Sequence, residues 1–304
     1  MIGWGALLVG GAVLAASWYF SKLIIHPPVK GVQCTYDLEV DNGNFDPARW
    51  EAWPKEEVRI ASPFGYELFG VLVPQDAARG TVILAHGVTY TLYGSIKYGQ
   101  MFRDMGFNLL LYDHRNHGRS GGRDTSFGFY EKYDLQAWVD WVVARPDLAT
   151  GGAGHVIGTH GESMGAATVL QHAGIDPRVA FVIADCPFAN AADEFAYRLR
   201  EEYHLPRFPL VPLASLITRW RAGWFYRDAA PLVAVPHIAA PVLLIHGAAD
   251  TYIPPEDSQQ LFAAKREGLK RLWLAPDARH AQSQPQDPQA YAEQVADFLE
   301  AADV

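Results

Sequence analysis

The sequence predicts an α/β protein: a mostly parallel, doubly wound sheet with a helical cap inserted into it and a single apolar helix in front. Three observations carry that prediction. Short apolar runs alternate with helical stretches over most of the chain, which is the signature of βαβ units. Between Asp185 and Pro241 lie more than fifty residues with no strand pattern, rich in Phe, Tyr, Trp and Pro. Ile2 to Phe20 is a nineteen-residue stretch without a charge.

The chain has 304 residues, 49% of them hydrophobic and 12% aromatic, enough to bury a full core in one large domain. Its net charge of −9, from 25 Lys+Arg against 34 Asp+Glu, argues against nucleic acid as a partner. The two cysteines, Cys34 and Cys186, supply neither a disulfide framework nor a metal-site spacing.

At about 1.5 Å per residue, the uncharged stretch is long enough to cross a bilayer core of roughly 30 Å. Trp4 at one end and Trp18-Tyr19 at the other sit where an aromatic belt would be. A cleaved signal peptide fits less well, because no Lys or Arg precedes the run and Ala15-Ala16-Ser17 is a poor cleavage site. Residues 1–26 are therefore expected to form a single-pass transmembrane anchor. Its orientation is not readable, since Lys22 and Lys30 are the only basic residues nearby.

Asp41-Asn42-Gly43-Asn44 and Asp46-Pro47 are turn signals, so residues 27–56 read as an irregular linker or covering segment. The main domain is expected over residues 57–304. Glu57 to Ala61 alternates as a strand, and Tyr66 to Val73 follows a Ser62-Pro63-Phe64-Gly65 turn, which predicts an antiparallel hairpin. Thr81–Ala85, Phe107–Tyr112, His155–Thr159, Val179–Ala184, Pro241–Ile245 and Arg271–Leu274 are apolar runs of the kind buried in a parallel sheet. Helices are expected over Ile96–Met105, Tyr130–Val143, Ala166–His172 and around Glu293–Leu299. In the strandless stretch, Asn190–His204 and Leu213–Phe225 read as helices. That insert is too short and too amphipathic for a core of its own, so residues 186–240 are read as a cap over the strand ends.

The chemistry centres on Gly161-Glu162-Ser163-Met164-Gly165, a G-x-S-x-G pentapeptide between an apolar run and a helical one. A serine there must adopt strained backbone angles, and side chains in place of the flanking glycines would collide with the neighbouring strand and helix. An activated serine needs a base, a carboxylate to hold the base, and donors for an oxyanion. Asp250 follows one predicted strand and His280 the last one, so the order Ser163, Asp250, His280 is that of α/β-hydrolases. Asp185 also ends a strand and is the rival acid, while His246 is the rival base. Asp250 is favoured because it occupies the usual acid position for this order. The backbone amide of Met164 supplies one oxyanion donor, and the loop His86-Gly87-Val88 offers the Val88 amide as the second.

On these residues the chain resembles the α/β-hydrolase superfamily over roughly Glu57 to Leu299. More narrowly it is similar to the membrane-anchored, Bem46-like serine hydrolases of Gram-positive bacteria. The residues concerned are Ala85-His86-Gly87-Val88, Asp113 to Ser120, Gly161 to Gly165, Asp185-Cys186-Pro187 with Asp193-Glu194-Phe195, and His246-Gly247 with Asp250. The resemblance implies a carboxylic-ester hydrolase working through an acyl-enzyme, without metal or organic cofactor, in a bacterial cell membrane. A small-molecule ester is then the substrate and the membrane the partner. A thioesterase or a short-peptide peptidase would use the same residues, and a non-catalytic binding protein of this fold is the alternative of another class. Tyr90, Tyr93, Trp224, Phe225 and Tyr252 are expected to line an acyl or aryl pocket or, equally, to seal the cap to the domain. Asp113 to Ser120 is expected to be a turn locked by hydrogen bonds, and Glu162 a partner for an arginine.

Overall fold

A computed structural model describes residues 2–149 and 155–304. Eight strands form one sheet: β1 (Glu56–Ala61), β2 (Glu67–Val73), β3 (Thr81–Ala85), β4 (Asn108–Tyr112), β5 (Ile157–Glu162), β6 (Phe181–Asp185), β7 (Val242–Gly247) and β8 (Lys270–Ala275). Their spatial order is β1-β2-β4-β3-β5-β6-β7-β8. The β1–β2 and β2–β4 pairs are antiparallel, and every other pair is parallel. The predicted hairpin is present, with Glu57 opposite Val71 and Ala61 opposite Glu67. The chain steps from β3 outward to β4 and then returns to β5 on the other side of β3. Such a switch point opens a crevice at the carboxyl ends of the two central strands, where doubly wound sheets bind ligands.

The helices are α1 (Ile2–Ile25), α2 (Val32–Asp41), α3 (Pro47–Ala52), α4 (Ile96–Asp104), α5 (Glu131–Val143), α6 (Met164–Ala173), α7 (Ala191–Tyr203), α8 (Arg207–Ala222), α9 (Pro231–Ala234), α10 (Pro255–Ala264), α11 (Ser283–Gln286) and α12 (Pro288–Ala301). Residues alternate across the central strands: Ile83 and Ala85 of β3 pack with α5 and α6, while Val82 and Leu84 pack with α4 and α12. Both faces of the sheet are therefore covered, which is why its strands read as continuous apolar runs.

Residues 27–56 are not irregular. Asp46 caps α3 by accepting the Ala48 amide at 2.9 Å, and Pro47 occupies the first turn, so the dipeptide taken for a turn is a helix start. Phe45 and Trp50 of this segment are buried against the α4 face. The second cap helix also begins earlier than expected. Its regular part starts after Phe208, with Pro209 and Pro212 in the opening turn, where a missing N–H is tolerated. Nothing in the sequence reading marked α10, which opens on Pro255 after Pro254.

A third apolar cluster lies above the sheet. It joins Leu199 of α7, Leu210, Val211 and Ala214 of α8, the loop residues Trp224, Tyr226 and Ile253, and Ile25 of α1. The cap thus has a core, but one completed by α1 and by loops of the main domain. α1 is long and apolar enough to cross a membrane over Leu7–Ile25. Residues 7–12 are exposed, whereas Ser17, Ser21 and Ile25 are buried at four-residue spacing against α8. Ser21 and Thr218 share a hydrogen bond of 2.9 Å, and Ser17 donates to the Leu210 carbonyl. The side chain of Trp4, expected in an aromatic belt, lies outside the described residues.

Candidate active site

The glycines of the pentapeptide are fixed by contacts with backbone. A Cβ on Gly161 would stand 2.3 Å from the Gly165 carbonyl, and one on Gly165 would stand 2.0 Å from the Ala85 oxygen. Ser163 turns between β5 and α6 with φ 54° and ψ −114°, a conformation held because the Ser163 amide donates to the Asp185 carbonyl at 2.8 Å. This strain aims the hydroxyl away from the sheet.

His280 Nε2 lies 3.0 Å from Ser163 Oγ, and His280 Nδ1 lies 2.7 Å from Asp250 Oδ2. A carboxylate can only accept, so Nδ1 carries the proton and Nε2 is left free to accept from the serine. The two loops meet because Gly247 has no side chain: a Cβ there would stand 2.3 Å from the Ala278 oxygen. The Ala249 amide donates to that same oxygen at 2.9 Å, tying the Asp250 loop to the His280 loop.

Asp250 is buried and well supplied with donors. Its Oδ1 accepts the Tyr252 amide at 2.8 Å and the Ile253 amide at 3.0 Å. His246 Nε2 lies 3.2 Å from Oδ2. Burial works against the charge, but the hydrogen bonds from His246 and His280 outweigh it and hold the carboxyl well below the usual carboxylate range. His246 is itself locked, with Nδ1 2.7 Å from Ser258 Oγ and Nε2 2.9 Å from the Ile253 carbonyl. It supports the acid and does not reach Ser163.

Asp185 turns elsewhere. Its carboxylate accepts from Tyr98 at 3.1 Å and from Ser283 at 3.2 Å. Burial raises it to about 6, the Glu162 charge adding to that effect and Lys97 opposing it. Glu162, expected to pair with an arginine, instead meets the buried Lys97 ammonium at 2.7 Å and accepts from Tyr98 at 2.6 Å.

The Asp113 to Ser120 turn is locked as expected: Asp113 accepts the Leu92 amide at 2.7 Å and the Arg119 amide at 2.8 Å. Across from it, His86 Nδ1 lies 2.7 Å from the Gly87 carbonyl, and its Nε2 accepts the His114 amide at 3.0 Å. Burial holds His86 well below the ordinary imidazole value, so it stays neutral and shapes the loop that carries Val88. Gly87 of that loop lies against the turn at Ser163, where a Cβ would be 3.2 Å from Glu162 Oε1. Among the described residues, neither the Val88 nor the Met164 amide donates a backbone hydrogen bond.

Cys186 also comes close: its Sγ, a carboxylate oxygen of Asp250 and a ring nitrogen of His280 lie within 4.8 Å of one another. Burial pushes the thiol well above its ordinary value, which keeps it protonated and a poor metal ligand.

A cavity of about 370 Å³ opens beside Ser163, within the range of small-molecule sites. Of the five aromatics expected to line it, only Tyr252 does. Trp224 is fully buried in the cap core against Phe129 and Tyr226. Phe225 lies between Arg219 and Arg227. Tyr90 sits under the Lys30 ammonium, and Tyr93 packs on Tyr36 and Trp50 of the covering segment. These four rings are spent on packing and not on the pocket, Trp224 buried and Tyr90, Tyr93 and Phe225 half-buried. The lining instead comes from Phe127, from Phe195, Leu199 and Tyr203 of α7, from Leu210 and Ala214 of α8, and from Phe20, Leu23 and Ile24 of α1. The α7 residues fall at helical spacing within the predicted 190–204 helix, so its periodicity held a legible signal. The α1 contribution had none.

The α/β hydrolase fold family model matches residues 80–210. The uncharacterized protein YqkD of Bacillus subtilis is 41% identical over 298 residues, covering 97% of this chain and 95% of YqkD. The uncharacterized protein YfhR of Escherichia coli K12 is 28% identical, covering 82% of each chain. Among solved structures, an esterase of Pyrococcus furiosus superposes with a TM-score of 0.69 at 24% identity, covering 84% of this chain and 94% of its own. Est1E of Butyrivibrio proteoclasticus, solved with ferulic acid bound, gives 0.64 at 19% identity, covering 81% and 98%. These two likenesses show the fold.

Proposed function

Because the chain belongs to the α/β-hydrolase family, we propose that it is a membrane-anchored serine hydrolase that cleaves carboxylic esters through an acyl-enzyme. The observation that carries the reading is the unbroken row Ser163 Oγ, His280, Asp250, with 3.0 Å and 2.7 Å between successive partners. Ser163 attacks the ester carbonyl while His280 Nε2 takes its proton, and Asp250 stabilises the imidazolium that forms. The Val88 and Met164 amides receive the oxyanion. His280 then protonates the leaving alcohol, and a water activated by the same nitrogen releases the acid. The mainly apolar walls of the cavity suit an acyl chain.

A fluorophosphonate should label the full-length protein in detergent. Ser163→Ala should abolish both labelling and turnover of a p-nitrophenyl ester while keeping the melting temperature. An active Ser163→Ala variant would overturn the mechanism.

α1 is read as the anchor, with a qualification set by its packing. The portion ahead of Val13, eleven residues in helix, is about 16 Å long, roughly half of a bilayer core. The rest lies along α8, whose Phe208 and Trp220 are 77% and 76% exposed. Insertion of α1 therefore draws the outer face of α8 to the membrane surface, where exposed Trp is favourable. The full chain should float with phosphatidylcholine–phosphatidylglycerol vesicles, and a protein lacking residues 1–12 should not. Equal flotation of both would remove the anchor.

A further inference from the structure

Glu194 sits in the first turn of α7, where a carboxylate usually faces water and complements the positive end of the helix. Here it does neither. It is only 6% exposed, it lines the cavity that contains Ser163, and neither of its oxygens has a hydrogen-bond partner among the described residues.

The nearest groups are all committed elsewhere. Arg198, one turn further along α7, pairs with Glu202, donates to the Thr251 and Tyr252 carbonyls at 3.3 Å, and lies 3.9 Å over the Tyr252 ring. Asp257 accepts the Ala189 amide, and Asp250 is held by His280. Burial, helped by the charges of Asp257, Asp250 and Glu202 and opposed by Arg198, raises the Glu194 carboxyl to about 9. At neutral pH it is thus an uncharged acid, with one donor and one acceptor unspent. A buried polar group without a partner is unfavourable, so the position makes physical sense if the partner arrives with the substrate.

We propose that Glu194 is the unpartnered polar contact of the acyl pocket and selects esters whose otherwise apolar acyl chain carries a neutral oxygen function, a ketone or a hydroxyl, part-way along its length. The inference rests on the serine-hydrolase reading above. The carboxyl O–H donates to that oxygen, and its carbonyl oxygen accepts from a hydroxyl where one is present. Phe127, Phe195 and Leu199 supply the apolar contacts around it. An ammonium group is the competing partner. It would have to shed its water on entering an apolar cavity and would require Glu194 to ionise among three other carboxylates.

The test uses the full chain in detergent micelles with p-nitrophenyl octanoate, its 5-, 6- and 7-oxo derivatives, and the 8-ammonio derivative. For wild type, Glu194→Gln and Glu194→Met, kcat/KM of each derivative is divided by that of octanoate, so any general loss of activity cancels. Wild type should prefer at least one oxo ester by about tenfold, the size expected of a site built around a hydrogen bond. Gln, which still donates and accepts, should keep most of that preference, and Met should lose it. Turnover of octanoate with no oxo preference in wild type would overturn this inference alone, as would a preference that survives in Met. A preference for the ammonio ester that is lost in Gln would overturn the neutral reading in favour of charge pairing. Inactivity of wild type towards every ester would instead sink the serine-hydrolase reading, and this inference with it.

Discussion

The carboxyl edge of the sheet and the helical roof above it face the same cavity, yet they are fixed by different means. At the edge, position is set by backbone against backbone. Gly161, Gly165 and Gly247 each allow an approach that a single methyl group would block, and Ser163 is held in strained angles between them. In the roof, position is set by side chains packed between helices that are far apart in sequence, α1 against α8 and α7 beneath them. The first arrangement tolerates almost no change and suits chemistry, where a misplacement of about 1 Å can cost 10²-fold in rate. The second can be re-lined without disturbing the first and suits choice of substrate.

The comparison breaks most visibly at the acid. Asp250→Asn should lower kcat on a p-nitrophenyl ester by roughly 10⁴, as loss of the orienting carboxylate does in the trypsin case. Asp185→Asn should cost far less, because its carboxylate faces Tyr98 and Ser283 and not His280. Measuring the two variants side by side decides the matter, and the reverse ranking would move the acid to Asp185.

A glycine of the edge comes next. Gly165→Ala places a methyl group 2.0 Å from the Ala85 oxygen, and backbone on both sides cannot yield. Thermal or urea unfolding should show a loss of about 2–4 kcal/mol, among the larger single-site effects. A variant as stable as wild type would mean that the edge is softer than its contacts imply.

The roof should respond by selectivity. Removing residues 1–26 strips Phe20, Leu23 and Ile24 from the cavity wall and Ile25 from the cap core. Turnover of p-nitrophenyl acetate should change little, while kcat/KM for the octanoate should fall roughly tenfold, equivalent to about 1.4 kcal/mol of lost apolar contact. An equal loss on both esters would show that α1 supports the edge as well.

The last prediction concerns pH. The Glu194 carboxyl stands near 9 in the fold against an ordinary 4.5, so the folded state binds a proton that the unfolded chain has released. The groups facing it are Asp250, Asp257, Glu202 and Arg198. Stability contributed by the protonated acid is fully present below about 4.5 and is lost progressively as pH rises towards 9. The melting temperature of wild type relative to Glu194→Gln should therefore fall between pH 5 and pH 8. A constant or opposite difference would indicate that Glu194 is ionised in the fold.

The sequence by itself determined the sheet, the turn at Ser163 and the chain order of Ser163, Asp250 and His280. Those features are legible because their constraints are local. A strand buried on both faces must be an apolar run, and a turn that presses on the next strand must use glycine. Local signals misled only where they were ambiguous: Asp46-Pro47 starts a helix as readily as it makes a turn, and Pro254-Pro255 hid the start of α10. The tertiary structure alone decided which side chains line the cavity. Tyr90 and Tyr93 follow the His86-Gly87-Val88 loop and Trp224 and Phe225 lie in the cap, but all four are spent in packing. Phe20 reaches the site because α1 packs along α8, whereas Phe127 comes from the loop before α5 and Glu194 from the first turn of α7. Residue types record what a backbone must do at one place. They do not record which distant helices will share a core, because that depends on the sum of many weak side-chain contacts.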